Sequence, residues 1–190
     1  VEDQPFNEGN RVARSKRLVA VLGEGLSALE TATFRDSVVF QDGNIQGRGD
    51  EVSYRIQDDA IELSSPDTDS EFPLVIDARG SIQAKTIRLE FAGPRILASG
   101  EVESVLSGAS EASRPSLLSS EQAILVTADE LSYDGQSEIA VYQGAAHLWQ
   151  GESEFRGEKI ILDESAGNLS LKGNASTPVS YTHLTLPTSD

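Results

Sequence analysis

Apolar and polar residues alternate along most of the chain, and most regularly between Ile124 and Ala175. Pairs that favour tight turns, such as Asp134-Gly135 and Gln150-Gly151, separate the alternating segments. A period of two between turn residues is typical of short antiparallel strands that bury one face. The pattern therefore predicts an all-β protein built from hairpins.

One strand unit recurs five times in the chain. A charged residue opens the unit, and apolar residues follow two and four positions later, which places both on one face of a strand. The opening residues, which lie 29 to 44 positions apart, are Lys16, Asp50, Lys85, Asp129 and Glu158. The apolar pairs that follow them are Leu18/Ala20, Val52/Tyr54, Ile87/Leu89, Leu131/Tyr133 and Ile160/Leu162. The irregular spacing indicates a degenerate β-repeat and not a strict solenoid.

The repeats place one β domain over residues 12–178. Residues 1–11 are polar and predict a disordered lead-in. Residues 104–122 hold seven serines and predict a flexible surface insertion within the domain, because matching units lie on both sides. Residues 179–190 break the pattern, and residues 179–188 resemble a translated sequencing adapter, which predicts a non-native tail. The chain begins at Val1 and contains no methionine, so we expect a fragment that has lost its N-terminal signal or anchor.

The negative charge of the chain limits the partners that it can bind. The chain has 15 Lys and Arg against 31 Asp and Glu, a net charge of −16. A nucleic-acid partner is not expected, because phosphate binding needs a cationic face, and adsorption to an anionic membrane surface is disfavoured for the same reason. The chain has no cysteine, which excludes disulfides and thiolate-bound metals.

No group of residues predicts catalysis. His147 is the one histidine outside the suspected tail, and no ligand cluster surrounds it in sequence, so we interpret it as a solvated strand histidine. Two carboxylates could form a glycosidase pair, but nothing singles out such a pair among 31 acids. We therefore predict no enzyme activity, no catalytic residues, no metal and no cofactor.

The stretch Ala128-Asp129-x-Leu131-x-Tyr133, the later Tyr142-x-Gly144 and Gln150-Gly151, then Glu158-Lys159-Ile160-x-Leu162-Asp163 and a closing Leu169-x-Leu171-x-Gly173 resemble the OstA-like family. These are the periplasmic lipopolysaccharide-transport proteins known as LptA and LptC, with the N-terminal domain of their outer-membrane partner. The resemblance implies a β-jellyroll, a twisted V-shaped open sandwich of repeated hairpins whose inside binds acyl chains. It leaves open whether the chain is the membrane-tethered, the soluble bridging or the outer-membrane member.

The resemblance also implies the site and the partners. The lipid groove would contain the inward residues Val52, Tyr54, Ile87, Leu89, Phe91, Leu131, Tyr133, Ile139, Val141, Ile160 and Leu162. The partners would be the acyl chains of lipopolysaccharide and like-folded transport components, added by edge strands in the periplasm. Two alternatives remain: a structural or adhesive β-repeat protein with a filled core, and an acidic β-solenoid enzyme acting on polysaccharide.

Overall fold

The computed structural model describes residues 11–23, 28–66, 70–107 and 122–177, and this part of the chain is all β. Thirteen strands form one continuous antiparallel sheet, which confirms the predicted fold class of repeated antiparallel hairpins in a β-jellyroll. The strands are β1 (Val12–Arg14), β2 (Arg17–Leu22), β3 (Leu29–Asp42), β4 (Ile45–Arg55), β5 (Ala60–Ser64), β6 (Leu74–Asp77), β7 (Gly80–Gln83), β8 (Thr86–Glu90), β9 (Arg95–Leu106), β10 (Ile124–Asp134), β11 (Ile139–Gln150), β12 (Ser153–Asp163) and β13 (Asn168–Lys172).

The long strands each belong to two layers of a sandwich. Strand β4 pairs with β6 through residues 46–48 and with β5 through residues 51–55. Strand β9 likewise pairs with β7 through its second half and with β8 through its first half. We call the layer that holds β2, β5, β8 and β13 layer A and the layer that holds β1, β6 and β7 layer B. Strands β3, β4, β9, β10, β11 and β12 run through both.

The five opening residues of the repeat lie where the chain passes between the layers. Lys16 separates β1 from β2, and Lys85 separates β7 from β8. Asp50, Asp129 and Glu158 lie at the equivalent points inside β4, β10 and β12, where the pairing partner changes or the register shifts. Four of these five charged residues are exposed and Asp50 is half-buried, so the repeat marks the corners of the sandwich. We call this side the corner edge.

Residues with positive φ face these corners across the ladder. Lys85 donates its N–H to Gly100 O at 2.9 Å, and Glu158 donates its N–H to Gly173 O at 2.9 Å. Gly100 has φ of 78° and Gly173 has φ of 71°, values that a side chain disfavours. Such bulges increase the local bend of a strand, which carries the chain from one layer into the other.

The core lies between the layers, because the inward residues of both layers form one cluster. These buried residues are Val38, Phe40, Val52, Ile61, Leu63, Val75, Ala84, Ile87, Leu89, Ile96, Ala98, Val102, Ile124, Val126, Ala128, Leu131, Tyr133, Ala140, Tyr142, Ala146, Leu148, Phe155, Ile160 and Leu162. Phe40 of layer B meets Phe91, which follows β8 of layer A, with ring centroids 6.4 Å apart. In four of the five repeat units the hydrophobic stripe is therefore on the inner face of a sandwich, whereas Leu18 and Ala20 of the first unit are exposed.

One bound differs from the sequence interpretation. The serine-rich insertion begins after Leu106 and not at Ser104, because β9 continues through Ser104, which is fully buried. Residues 1–10 of the predicted lead-in, most of the insertion (108–121) and the tail (179–190) lie outside the described residues. Arg11, the last residue of the lead-in, is described and forms an ion pair with Asp42.

The sheet ends at β2 and β13 in layer A. Within the described ranges, β2 pairs with β3 alone and β13 pairs with β12 alone. Leu18, Val19, Val21 and Leu22 of β2 are all exposed, at 44 to 56% of their surface, so both faces of this edge strand are apolar and open. Among the same described residues, no helix is long and apolar enough to span a membrane.

Candidate functional site

Most residues that we predicted for a groove point between the layers. Seven are buried in the core: Val52, Ile87, Leu89, Leu131, Tyr133, Ile160 and Leu162. Tyr54 and Phe91 are half-buried and pack against that core. Their inward position follows from the repeat, whereas their contact with lipid remains a prediction.

Ile139 and Val141 point outward, which corrects their assignment to the groove. In β11 the buried residues are Ala140 and Tyr142. Residues directly opposite each other in an antiparallel pair share a face, and Ala140 lies opposite Tyr133 while Tyr142 lies opposite Leu131. The inward residues of β11 are therefore one position away from the β-branched residues that the sequence favoured.

A cavity of about 40 Å³ lies between the layers. Layer B contributes Val75, Gly80, Ser81, Ile82 and Leu106, and layer A contributes Ile96, Leu131, Tyr133, Ala140 and Tyr142. Polar side chains border it mainly at the turns, where Asp77, Arg79 and Glu164 lie. The cavity is thus apolar within and charged at its rim, which is the chemistry that suits a chain of methylenes with a polar end.

The open edge is the side of the sandwich opposite the corner edge, where the hairpin turns of both layers lie. There Arg79, in the β6–β7 turn, donates from Nε to Asp77 Oδ2 at 2.9 Å. Its Cζ lies 4.2 Å from the centroid of the Tyr133 ring in the other layer, a cation–π distance. Although partial burial disfavours the charge, hydrogen bonding to Asp77 raises the pKa of Arg79. Arg79 is therefore a fixed cation across the rim of the cavity.

Negative charge surrounds this arginine. Burial, together with the charges of Glu138 and Asp77, raises the pKa of Glu164, and Arg79 offsets only part of that rise. Tyr142 lies deeper in the interior, where burial raises its pKa to about 12 and the neighbouring Ser104 hydroxyl opposes only part of the shift. Ser104 Oγ is itself buried without a hydrogen bond of regular geometry to any described residue. The cavity therefore has a charged rim, and the buried Tyr142 is among its lining residues.

Sequence reasoning missed the layer B half of the site. The repeat unit covers only strands of layer A after each corner, so Val75, Ile82 and Leu106 received no role. Alternation within β6 and β7 carries a weak signal, since each strand has only four residues. Arg79 gave no signal at all, because its role depends on a contact with Tyr133, which is 54 residues away in sequence.

His147 is half-buried, and not solvated as its isolation in sequence suggested. The centroids of the His147 and Trp149 rings lie 3.5 Å apart. Nε2 of His147 accepts a hydrogen bond from Arg156 Nε at 3.1 Å and also contacts Glu154. The cluster lies on the outward face of layer B, because Leu148 and Phe155 between these residues are buried. Among the described residues, no group of three or more His, Asp and Glu side chains could hold a metal ion.

Comparison with known proteins yields structural similarity alone. No family model matches the chain, and no curated protein matches it in sequence. Eighteen chains of solved structures match. One is LptH, described as the LptA homologous periplasmic component of the conserved lipopolysaccharide transport device from Pseudomonas aeruginosa, at 12% identity and a TM-score of 0.43, over 92% of this chain and 97% of that chain. A similarity at this level does not by itself indicate what this chain does.

Proposed function

We propose that this protein is a periplasmic component of a lipopolysaccharide-transport bridge and carries acyl chains between its two layers. The observation that carries the proposal is the apolar cavity that both layers line, open toward an edge of charged turns. The motifs around Asp129 and Glu158, which resemble the OstA-like family, support the same function. Its mechanism is passive: the acyl chains lie inside, while sugars and phosphates stay in water.

The size of the cavity sets a condition on this mechanism. A volume of about 40 Å³ has room for roughly two or three water-sized groups, far less than an acyl chain of about a dozen methylenes. The described conformation is therefore the closed one, and acyl chains need the layers to separate. Each methylene moved from water into the interior contributes about 0.8 kcal/mol, which provides the driving force for separation.

Photo-crosslinking tests the proposal. A photoreactive side chain at Ile96, which lines the cavity, should capture lipopolysaccharide. A carboxylate at Leu131, which is 3% exposed, should abolish capture, whereas a carboxylate at the neighbouring exposed Ser132 should leave it unchanged. Far-ultraviolet circular dichroism of each variant checks that it is folded. Equal effects at both positions would contradict the assignment of faces.

A structural or adhesive protein with a filled core is the second candidate, and the small volume of the cavity favours it. Such a protein would capture no lipopolysaccharide through a photoreactive side chain at Ile96 even with Leu131 unchanged, and a carboxylate at Leu131 would act only by unfolding the protein. The two functions therefore differ in whether the protein with Leu131 unchanged captures lipopolysaccharide.

The edge strands support the proposed partners. Unpaired N–H and C=O groups at β2 and β13 can pair with a strand of another chain, and the exposed apolar residues of β2 add area to such a contact. In a transport bridge, addition of like-folded components at these edges would join one cavity to the next. Titration of this protein against a like-folded transport component in sedimentation velocity tests the association, and a noninteracting mixture at high concentration would contradict it.

A further inference from the structure

Two arginines connect the layers along the open edge. Arg79 reaches from layer B to Tyr133 of layer A beside the cavity. Arg11 does the same nearer the β2 end of the sheet. Because the described strands cross between the layers at the corner edge, these side chains join turns on the opposite side of the sandwich.

Arg11 forms an ion pair with a residue of each layer. Its Nε donates to Asp42 Oδ2 at 2.7 Å in the β3–β4 hairpin, and its Nη1 contacts Asp59 in the β4–β5 turn. The same Nη1 donates to the Tyr54 hydroxyl at 3.0 Å, and Cζ lies 3.9 Å from the centroid of the Phe91 ring. Hydrogen bonding to Asp59 raises the pKa of Arg11, which keeps it charged at any physiological pH.

The arrangement of charges distinguishes a closing role from a role in anion recognition. An arginine that binds a phosphate needs donors free to point at it, but Arg11 already donates to Asp42, Asp59 and Tyr54. Arg79 is paired with Asp77, and Glu164 lies nearby on the rim of the cavity. These carboxylates would repel a phosphate. The Arg11–Asp59 ion pair crosses between the layers and remains partly exposed, and Arg79 crosses through its cation–π contact with Tyr133. Both kinds of contact are weak and break readily, which suits a reversible closure.

We propose that Arg11 and Arg79 act as clasps that hold the layers together along the open edge, and that acyl chains gain access when the clasps release. The ligand in this inference rests on the proposed function, whereas the closure itself does not. The corner edge serves as the hinge, since the strands continue through it.

Spin labels test the closure without any lipid. The chain has no cysteine, so single cysteines at Ala78 and Ser137, exposed turn residues of opposite layers, can be labelled specifically. The Arg11→Gln, Arg79→Gln double variant should show a longer and broader distance distribution by pulsed electron resonance. Arg35→Gln is the matched control, because its ion pair with Glu51, at 2.6 Å, joins two strands of the same layer. Equal distributions in the double variant, the control and the wild type would overturn the clasps.

Uptake of cis-parinaric acid, a fluorescent fatty acid, tests access. The double variant should take it up several-fold faster than the wild type or Arg35→Gln, and raised salt should speed the wild type toward the double variant because it screens the ion pairs. Equal rates in a variant that the spin labels show to be open would overturn the role in access. If the double variant opens and neither protein takes up the fatty acid, the clasps stand and the proposed lipid function fails.

Discussion

Filling the cavity should stabilise this protein and reduce the lipid uptake that we propose for it. Ala140 is the position for this change, because it is buried, lines the cavity and lies in a strand, where the β-branched valine is favoured. The two methyl groups added by Ala140→Val would point between the layers toward Leu131 and Tyr142, which border the same cavity.

The magnitude follows from the volume. Cavities cost about 24 cal/mol per Å³, so a cavity of 40 Å³ costs about 1 kcal/mol. Valine should recover most of that, and we expect the free energy of unfolding to rise by about 0.5 to 1 kcal/mol. Because the same volume is where acyl chains would first enter, uptake of cis-parinaric acid should fall at the same time.

Urea denaturation measures the first effect, and fatty-acid fluorescence measures the second. Ser132→Val is the matched control, since it adds a β-branched residue at an exposed position of the adjacent strand and fills nothing. A loss of more than about 1 kcal/mol in Ala140→Val would mean that the site is already full and that the new methyl groups strain it. Unchanged uptake in a stabilised variant would refute the assignment of this cavity to acyl chains.

Three further predictions concern the rim, a turn and an edge. Glu164→Gln should raise the melting temperature at neutral pH, and this gain should vanish below about pH 4. The reason is that a carboxyl group whose pKa is raised in the folded state destabilises the fold only when it is ionised. A gain that does not depend on pH would contradict this. Gly80→Ala should lower the free energy of unfolding by more than about 2 kcal/mol in urea denaturation, because its φ is 152° and a Cβ would collide with the carbonyl of Val105. Gly43→Ala, whose Cβ would meet no atom within contact distance, should lower it by about 1 kcal/mol. Equal losses would mean that the backbone around Gly80 shifts to make room. Ser170→Pro in edge strand β13 should weaken association with a like-folded partner in sedimentation velocity, while the melting temperature changes little. Unchanged association would show that β13 does not form the contact.

The sequence predicted the hairpins well because their signals are local. Asp134-Gly135 does join β10 to β11, and Gln150-Gly151 joins β11 to β12, as their turn chemistry requires. The inward face of most repeat units was also predictable, since a period of two fixes it once a single residue is placed. The positions of these strands and turns could therefore be predicted from residues a few positions apart.

The error at Ile139 and Val141 shows where that reasoning stops. Two β-branched residues look more like core than the alanine between them, but the partner strand decides the face. Ala140 lies opposite the buried Tyr133, and Tyr142 lies opposite the buried Leu131, so the pairing register places both inside. The register between two strands is a long-range property, and alternation within one strand does not contain it.

The corners were present in the sequence but were not recognised as corners. The charged openers were interpreted as the starts of strands, although Asp129 and Glu158 lie inside continuous strands. The signal that identifies a corner is the glycine on the neighbouring strand: Gly144, with φ of 82°, leaves room for Asp129, just as Gly173 does for Glu158. A charged residue and a facing glycine are 15 positions apart in both cases, so the pair can be found in the sequence once the architecture is known.

The two edges of the sandwich differ in the contacts that hold the layers together, and that difference lowers the free-energy cost of separating the layers at the open edge. At the corner edge, covalent strands and hydrogen-bonded bulges join the layers. At the open edge, the partly exposed Arg11–Asp59 ion pair contributes about 0 to 1 kcal/mol, and the cation–π contact between Arg79 and Tyr133 contributes about 0.5 to 1 kcal/mol. Exposing Phe40 and Tyr133 by opening would cost roughly 1.5 to 3 kcal/mol apiece. An acyl chain of about a dozen methylenes contributes on the order of 10 kcal/mol when buried, which exceeds the loss for these two side chains. On the proposed function, an acyl chain would therefore bind the open form preferentially and shift the equilibrium toward it, whereas without an acyl chain the apolar faces of the two layers cover each other.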